Sequence, residues 1–307
     1  MRVPQPLRLV AEAVKGWSSD NVPRLGASLA YYTLFSLAPM LVVAIAIAGQ
    51  LFGEEAVRGE IVMQVDGLIG TEGARALQAL LRGAQRDDTS GPAALIGTAT
   101  FLLAATGAFM ELQHALNTIF RVKQAPGSRI REFIVDRVRS FGLVLSIGFL
   151  LIVSLLVSAA LSALTSWVQN LRTQPVSFVW ELVDLVASLG VITVLLALIY
   201  RYLPDVRLRW RDVWFGAMVT AILFILGKEL IGLYLGRSSV ASSYGAAGSV
   251  MVLLLWVYYS AQIMLFGAEL TRVRAKHLGR EPEPLKIARR DPDARPSEKG
   301  RRSRTGT

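Results

Sequence analysis

Residues 25–53 read LGASLAYYTLFSLAPMLVVAIAIAGQLFG, an unbroken run without Asp, Glu, Lys or Arg. About 20 apolar residues in a helix cover the ~30 Å hydrocarbon core of a bilayer, so this run is long enough to cross one. Five more charge-free runs follow, at 89–110, 140–171, 185–200, 213–227 and 238–268. All but 185–200 and 213–227 pass the ~18-residue mark of a membrane span. Only 18% of the 307 residues are charged and 53% are hydrophobic, where a soluble domain carries about 25% charged residues. These proportions exclude an ordinary soluble enzyme and a disordered chain, and the absence of cysteine excludes a disulfide scaffold. The fold class is all-α, a polytopic membrane protein.

The two shorter runs become full spans when a few charged residues are taken inside them. Glu181 and Asp184 then belong to a helix over 176–200, and Lys228 and Glu229 to one over 213–235. The expected bundle has six transmembrane helices: 27–51, 92–113, 140–164, 176–200, 213–235 and 246–270. Of the 33 Lys and Arg, 26 fall in the N-terminal segment, the second and fourth connections and the tail. The opposite side holds six, with Lys228 left over. Positive charge stays on the cytoplasmic side, so both termini are expected there. The same pattern, with attraction to membrane lipids of negative charge, accounts for the net +10 without nucleic acid. The 24 mostly polar residues before the first run differ from a cleaved signal peptide, so the first helix is expected to be retained.

Three regions follow: a cytoplasmic segment 1–24, a membrane domain 25–270 and a basic, disordered cytoplasmic tail 271–307. In the tail, Pro282, Pro284, Pro292 and Pro296 interrupt twelve basic and five acidic residues. The first external loop, 54–91, is long enough to need its own structure. Val57, Ile61, Val65 and Leu68 recur at helical spacing, as do Ala74, Leu77, Leu81 and Ala84. The pattern predicts an amphipathic helical hairpin broken at Gly70, packed on the outer ends of the bundle or offering a docking surface to an envelope protein.

Ionisable groups at membrane depth are costly and mark candidate sites. Glu181 and Asp184 share one helix face, about 8–12 Å from the outer end of the fourth span. Lys228, beside Glu229, lies at similar depth and is expected to pair with one of them, either locking two helices or lining a polar cavity. A second candidate is an anion or lipid-headgroup site at the start of the sixth span: Ser242, Ser243, Tyr244, Gly245, Gly248 and Ser249. There hydroxyls and unpaired N–H groups surround a helix N-terminus, although capping and close packing use the same residues. Ser28, Tyr32 and Ser36 form a polar stripe on the first span ahead of Pro39, which frees a backbone carbonyl. Glu111, His114, Asn117 and Arg121 line the inner end of the second span at the depth of Glu269, as an inner gate or, more simply, a salt-bridge network. With no Cys, two His and no phosphate-binding loop, no catalytic residue, metal or cofactor is assigned.

Several of these stretches carry a resemblance. Ala27-Ser-Leu-Ala-Tyr-Tyr-Thr-Leu-Phe-Ser-Leu-Ala-Pro39, Ala115-Leu-Asn-Thr-Ile-Phe120, Arg201-Tyr-Leu-Pro-Asp205, Trp210-Arg-Asp212, Tyr244-Gly-Ala-Ala-Gly248, Leu255-Trp-Val-Tyr-Tyr259 and Phe266-Gly-Ala-Glu-Leu270 occur in order over about 25–275. Together they resemble the YihY/BrkB family, also labelled ribonuclease BN-like. The resemblance implies a six-helix bacterial inner-membrane protein of envelope maintenance, with Tyr32, Pro39, Asn117, Tyr244, Gly245, Trp256 and Glu269 at motif positions. No His/Asp cluster supports ribonuclease chemistry. The expected function is transporter-like movement of a lipid or anionic solute, or else a non-transporting scaffold that recruits envelope or lipid-handling partners.

Overall fold

Asn21 takes a left-handed conformation (φ 51°) that ends one helix, and Pro23 opens the next where its missing N–H goes unused. The computed structural model describes residues 5–84, 107–124, 177–237, 248–285 and 288–291. In chain order these hold α1 (Gln5–Ser19), α2 (Val22–Phe52), α3 (Glu54–Ala84), α4 (Gly107–Ile119), β1 (Val122–Gln124), α5 (Ser177–Tyr202), β2 (Val206–Arg207), α6 (Trp210–Arg237), α7 (Gly248–His277), β3 (Glu283–Pro284) and β4 (Ala288–Arg290). The expected spans 27–51 and 213–235 fall within α2 and α6, residues 177–200 of the fourth within α5, and most of 246–270 within α7. Residues 107–113 of the second expected span open α4. The rest of that span, and all of 140–164, lie outside the described residues.

Helix α7 is the central element and packs against α1, α2, α3, α4 and α6, while α5 packs along α6. The main core gathers Leu29 of α2, Leu112 and Leu116 of α4, Leu196 and Tyr200 of α5, Val213 and Ala217 of α6, and Ala261 and Leu265 of α7. Helices α6 and α7 approach closely because Gly216 and Gly267 face each other's helix. A Cβ on Gly267 would collide with the hydroxyls of Thr220 and Tyr200, and one on Gly216 with that of Thr271. The outward side of α6 is the reverse. Trp214, Met218, Ile222, Leu226 and Leu230 repeat every four residues and are all exposed. An apolar stripe about 24 Å long facing outward, over a core containing hydroxyls, is the arrangement of a helix in lipid. Trp210–Gly227 and Val250–His277 are long and apolar enough to cross a membrane, and Ser188–Tyr202 is a shorter apolar helix.

The described elements revise the sequence reading in three places. Helical hydrogen bonding runs through Gly70 without the expected break, so α3 is a single 31-residue element. Even so, Val57 and Ile61 near its start and Leu77 and Leu81 near its end join one cluster with Leu37, Leu41, Val42 and Ile45 of α2. A straight helix would hold Val57 and Leu77 about 30 Å apart, so both ends reach this cluster only if the axis bends between them. The N-terminal segment, read as polar chain, contains α1 packed on α7.

The boundary at 270 is likewise corrected, because the folded unit extends past it. Helix α7 continues to His277 with Thr271, Val273 and Ala275 buried. Beyond it β3 pairs antiparallel with β2 (Val206↔Pro284) and β4 with β1 (Val122↔Arg290). Charge and proline content suggested disorder, but the segment supplies only short strands whose partners are already fixed by the bundle, so it needs little apolar area of its own. Residues 292–307 lie outside the described residues.

Candidate functional site

The end of the bundle closed by α1 and the two strand pairs collects the buried polar groups. Asn117, in the last turn of α4, donates from Nδ2 to the Asp205 carboxylate at 2.8 Å and accepts the Asp205 backbone N–H at Oδ1, also at 2.8 Å. Gln113, one turn earlier on the same face, donates to both Asp205 oxygens at 3.3 and 3.4 Å. The Asp205 carbonyl accepts the N–H of Leu285, from the segment after β3. One buried aspartate thus ties α4, the α5–β2 turn and the C-terminal segment together. Hydrogen bonds to a buried carboxylate are the strong kind, and their loss leaves a desolvated charge.

A second group lies beside α1. Glu269 is fully buried, and Arg272 donates to its Oε2 from Nη2 at 2.6 Å and from Nε at 3.0 Å. Asp20, between α1 and α2, lies beside Glu269 and pairs with Arg121 at 3.6 Å. Two carboxylates and two guanidiniums therefore alternate across α7, the α1–α2 turn and the α4–β1 turn. Gly16 of α1 leaves the space that the Glu269 carboxylate and Arg272 fill. Deeper in the bundle, the Tyr200 hydroxyl donates to the Met264 carbonyl at 2.6 Å and meets Thr220 Oγ1 at 3.1 Å.

Thr220 and Met264 also border a cavity of about 260 Å³ among α2, α4, α5, α6 and α7. Its wall is nearly all apolar, with Leu29, Phe109, Leu196 and Phe224 prominent, broken by the hydroxyls of Thr33, Thr220 and Ser260. Among the described residues, Ser260 Oγ is buried there without a hydrogen-bond partner. The arrangement suits a hydrocarbon chain carrying an occasional polar atom. Two of its lining residues, Thr220 and Met264, are the hydrogen-bond partners of Tyr200.

The sequence-predicted residues divide accordingly. Asn117 and Arg121 enter the buried clusters, and Glu269 is fully enclosed rather than at a water boundary. His114 is exposed and Glu111 half-buried. Ser36 accepts the Ala108 N–H at 3.2 Å, joining the stripe on α2 to the start of α4, whereas Tyr32 is exposed. Trp256 is half-buried against Phe224. Glu181 and Asp184 belong to α5, and Lys228 and Glu229 to α6, but their side chains lie outside the described residues, as does that of Pro39. Extending the Tyr200–Thr220 register places the Lys228 backbone about 12 Å from the level of Asp184 along the bundle, an offset any pairing has to bridge. Ser242, Ser243, Tyr244 and Gly245 are outside the described residues, Gly248 is buried at the start of α7, and the side chain of Ser249 is not described.

Sequence reading missed Asp20, Tyr200, Thr220 and Arg272, and quoted Asp205 only as the end of a motif. The available signal was an Asp just after a span, in Leu203-Pro-Asp205, facing an Asn in the last turn of another. Tyr200 and Thr220 gave none, since single hydroxyls in apolar runs are common.

A helix bundle with an apolar outward stripe and its polar groups turned inward defines a membrane protein. The model of the virulence factor BrkB family matches residues 13–292, and the chain belongs to that family. The match takes in residues 13–19 of α1 and the paired C-terminal strands, beyond the 25–275 that the motifs delimit. Relatives include UPF0761 membrane proteins of Verminephrobacter eiseniae (29% identical, covering 87% of this chain and 62% of that one), Paraburkholderia xenovorans (30%, 85% and 58%) and Tolumonas auensis (28%, 82% and 80%). The chain spans about three fifths of the length of the first curated relatives it matches. No solved structure matches it.

Proposed function

We propose that this chain is a transporter-like protein of the bacterial inner membrane that moves a lipid, or an anionic solute, in envelope maintenance. In this reading it spans the bilayer six times with both termini in the cytoplasm, and 54–91 is external. The cavity carries the proposal. Its volume of about 260 Å³ equals eight or nine water-sized groups at about 30 Å³ each, enough for part of an acyl chain. Apolar walls favour lipid over a hydrated anion. Thr33, Thr220 and Ser260 in the lining offer hydrogen bonds to an ester or hydroxyl. No residue is assigned a catalytic role and no cofactor is required.

Flux of headgroup-labelled phospholipid in proteoliposomes tests this reading. Ala261→Phe, which places a ring in the cavity, is expected to lower flux about tenfold, equivalent to about 1.4 kcal/mol, with near-native thermal stability. Lys228→Met and Tyr244→Phe, assayed alongside for lipid and for anions, show whether the outer halves of α6 and α7 contribute to the path. Absence of flux for lipid and anions alike would transfer the weight to the scaffold reading, with 54–91 as the surface that recruits an envelope partner.

A further inference from the structure

Helix α1 has 15 residues, too few to cross a bilayer, yet it carries two separate apolar faces. On the first, Ala13 packs with Leu270 and Val273 of α7, and Leu9, Phe215, Val219 and Phe266 surround them. At 100° per residue, Leu7, Val10 and Val14 fall together on a second face, about 120° around the helix from the first. They are 58%, 45% and 51% exposed. Arg8 and Lys15, both exposed, occupy the remaining sector. The cross-section therefore divides into a bundle-facing side, an aliphatic side and a basic side. Glu12, the acidic residue of this helix, is paired with His277 at 3.4 Å.

An independent feature fixes the level at which α1 sits. Tyr202, Trp210 and Trp214 are exposed on the same end of the bundle. Their rings follow one another at 6.2 and 6.4 Å, with Arg201 over Trp210 at 5.8 Å. Exposed aromatic and basic residues of this kind collect at the boundary between hydrocarbon and water. Phe215, next to Trp214, and Val219, one turn beyond Phe215, pack against the cluster that α1 joins through Ala13, so α1 lies at that boundary.

We propose that α1 lies in the plane of the membrane interface, with Leu7, Val10 and Val14 among acyl chains and Arg8 and Lys15 against anionic phospholipid headgroups. Three aliphatic side chains flanked by basic residues, at the level of the aromatic belt, have the composition of an interfacial helix. The proposal does not depend on transport.

The chain contains no cysteine, so single nitroxide labels at Leu7→Cys, Val10→Cys and Val14→Cys can be placed in the full-length protein. The protein is reconstituted in phosphatidylcholine vesicles with and without phosphatidylglycerol, with Ser19→Cys as the water-facing reference. The three labels are expected to be relaxed by oxygen rather than by a polar nickel reagent, at depths of about 5–10 Å. Depth is expected to increase with phosphatidylglycerol, and Arg8→Gln with Lys15→Gln to abolish that increase. Labels at Val10 and Val14 that respond as Ser19 does would overturn the proposal. So would shielding from both reagents, which would mark a protein surface, or a depth indifferent to anionic lipid.

Discussion

Asn117 shows how much a single side chain settles. Its amide uses both ends on Asp205, one on the carboxylate and one on the backbone N–H, so no other residue of similar volume replaces it. Asn117→Ala is expected to destabilise the fold by about 2–4 kcal/mol, the cost of losing a charge-assisted bond together with a buried backbone partner. Thermal unfolding in detergent measures this, and Asn117→Asp should be at least as harmful, since it sets two carboxylates face to face. At the periphery, Arg290 donates to Glu281 at 2.7 Å and holds that carboxyl below its ordinary 4.5. A carboxylate whose folded-state pKa is lowered contributes stability that is present above the ordinary value and lost as pH falls through the lowered one. Exchange of the β4 amides, corrected for intrinsic rate, is therefore expected to quicken as pH falls below about 4.5. Glu281→Gln should remove that dependence. The change will be small, because both partners are more than half exposed.

At the level of elements, the C-terminal segment is the clearest case of structure that depends on its surroundings. Strands β3 and β4 are two and three residues long and could not persist alone. They form because β1 and β2 stand ready at the ends of α4 and α5, and because Leu285 donates to the Asp205 carbonyl. A chain ending at Asp291 keeps both strand pairs and serves as the reference. One ending at Leu270 loses the last turns of α7, on which α1 rests, and both strand pairs. Its melting temperature should fall by several degrees, in line with a loss of more than 1 kcal/mol, and α1 should become sensitive to protease. Equal stability of the two truncations would show that the strand pairs contribute nothing to the fold.

For the whole molecule, the proposed six spans and orientation rest on the run lengths and the distribution of Lys and Arg. Six spans with cytoplasmic termini predict that a membrane-impermeant thiol reagent applied outside labels Ser90→Cys and not Arg207→Cys. After the membrane is opened, both should react. Labelling of Arg207→Cys from outside would reverse the orientation, and the charged clusters would then lie at the outer end of the bundle.

Much of this was legible in the sequence, because the bilayer acts on composition and length alone. Any helix in hydrocarbon must satisfy its backbone internally and present apolar side chains, so charge-free runs near 20 residues reveal helices whatever their packing. Residues 25–53 were readable for that reason, 185–200 and 213–227 once the charged residues beside them were taken inside the helix, and membership of the family through its motifs. The partners of the polar groups were not legible. Asn117 and Asp205 are 88 positions apart, and Tyr200, Thr220 and Met264 converge from three helices. The apolar cavity exists only where five helices leave space between them. The tail was misread on the same account: its own composition is that of a solvated chain, and only edges fixed by the bundle make it pair. The sequence by itself therefore determined that the chain is a helical membrane protein. Tertiary structure alone decided which polar groups are enclosed together, because burial and hydrogen bonding depend on neighbours that local sequence does not contain.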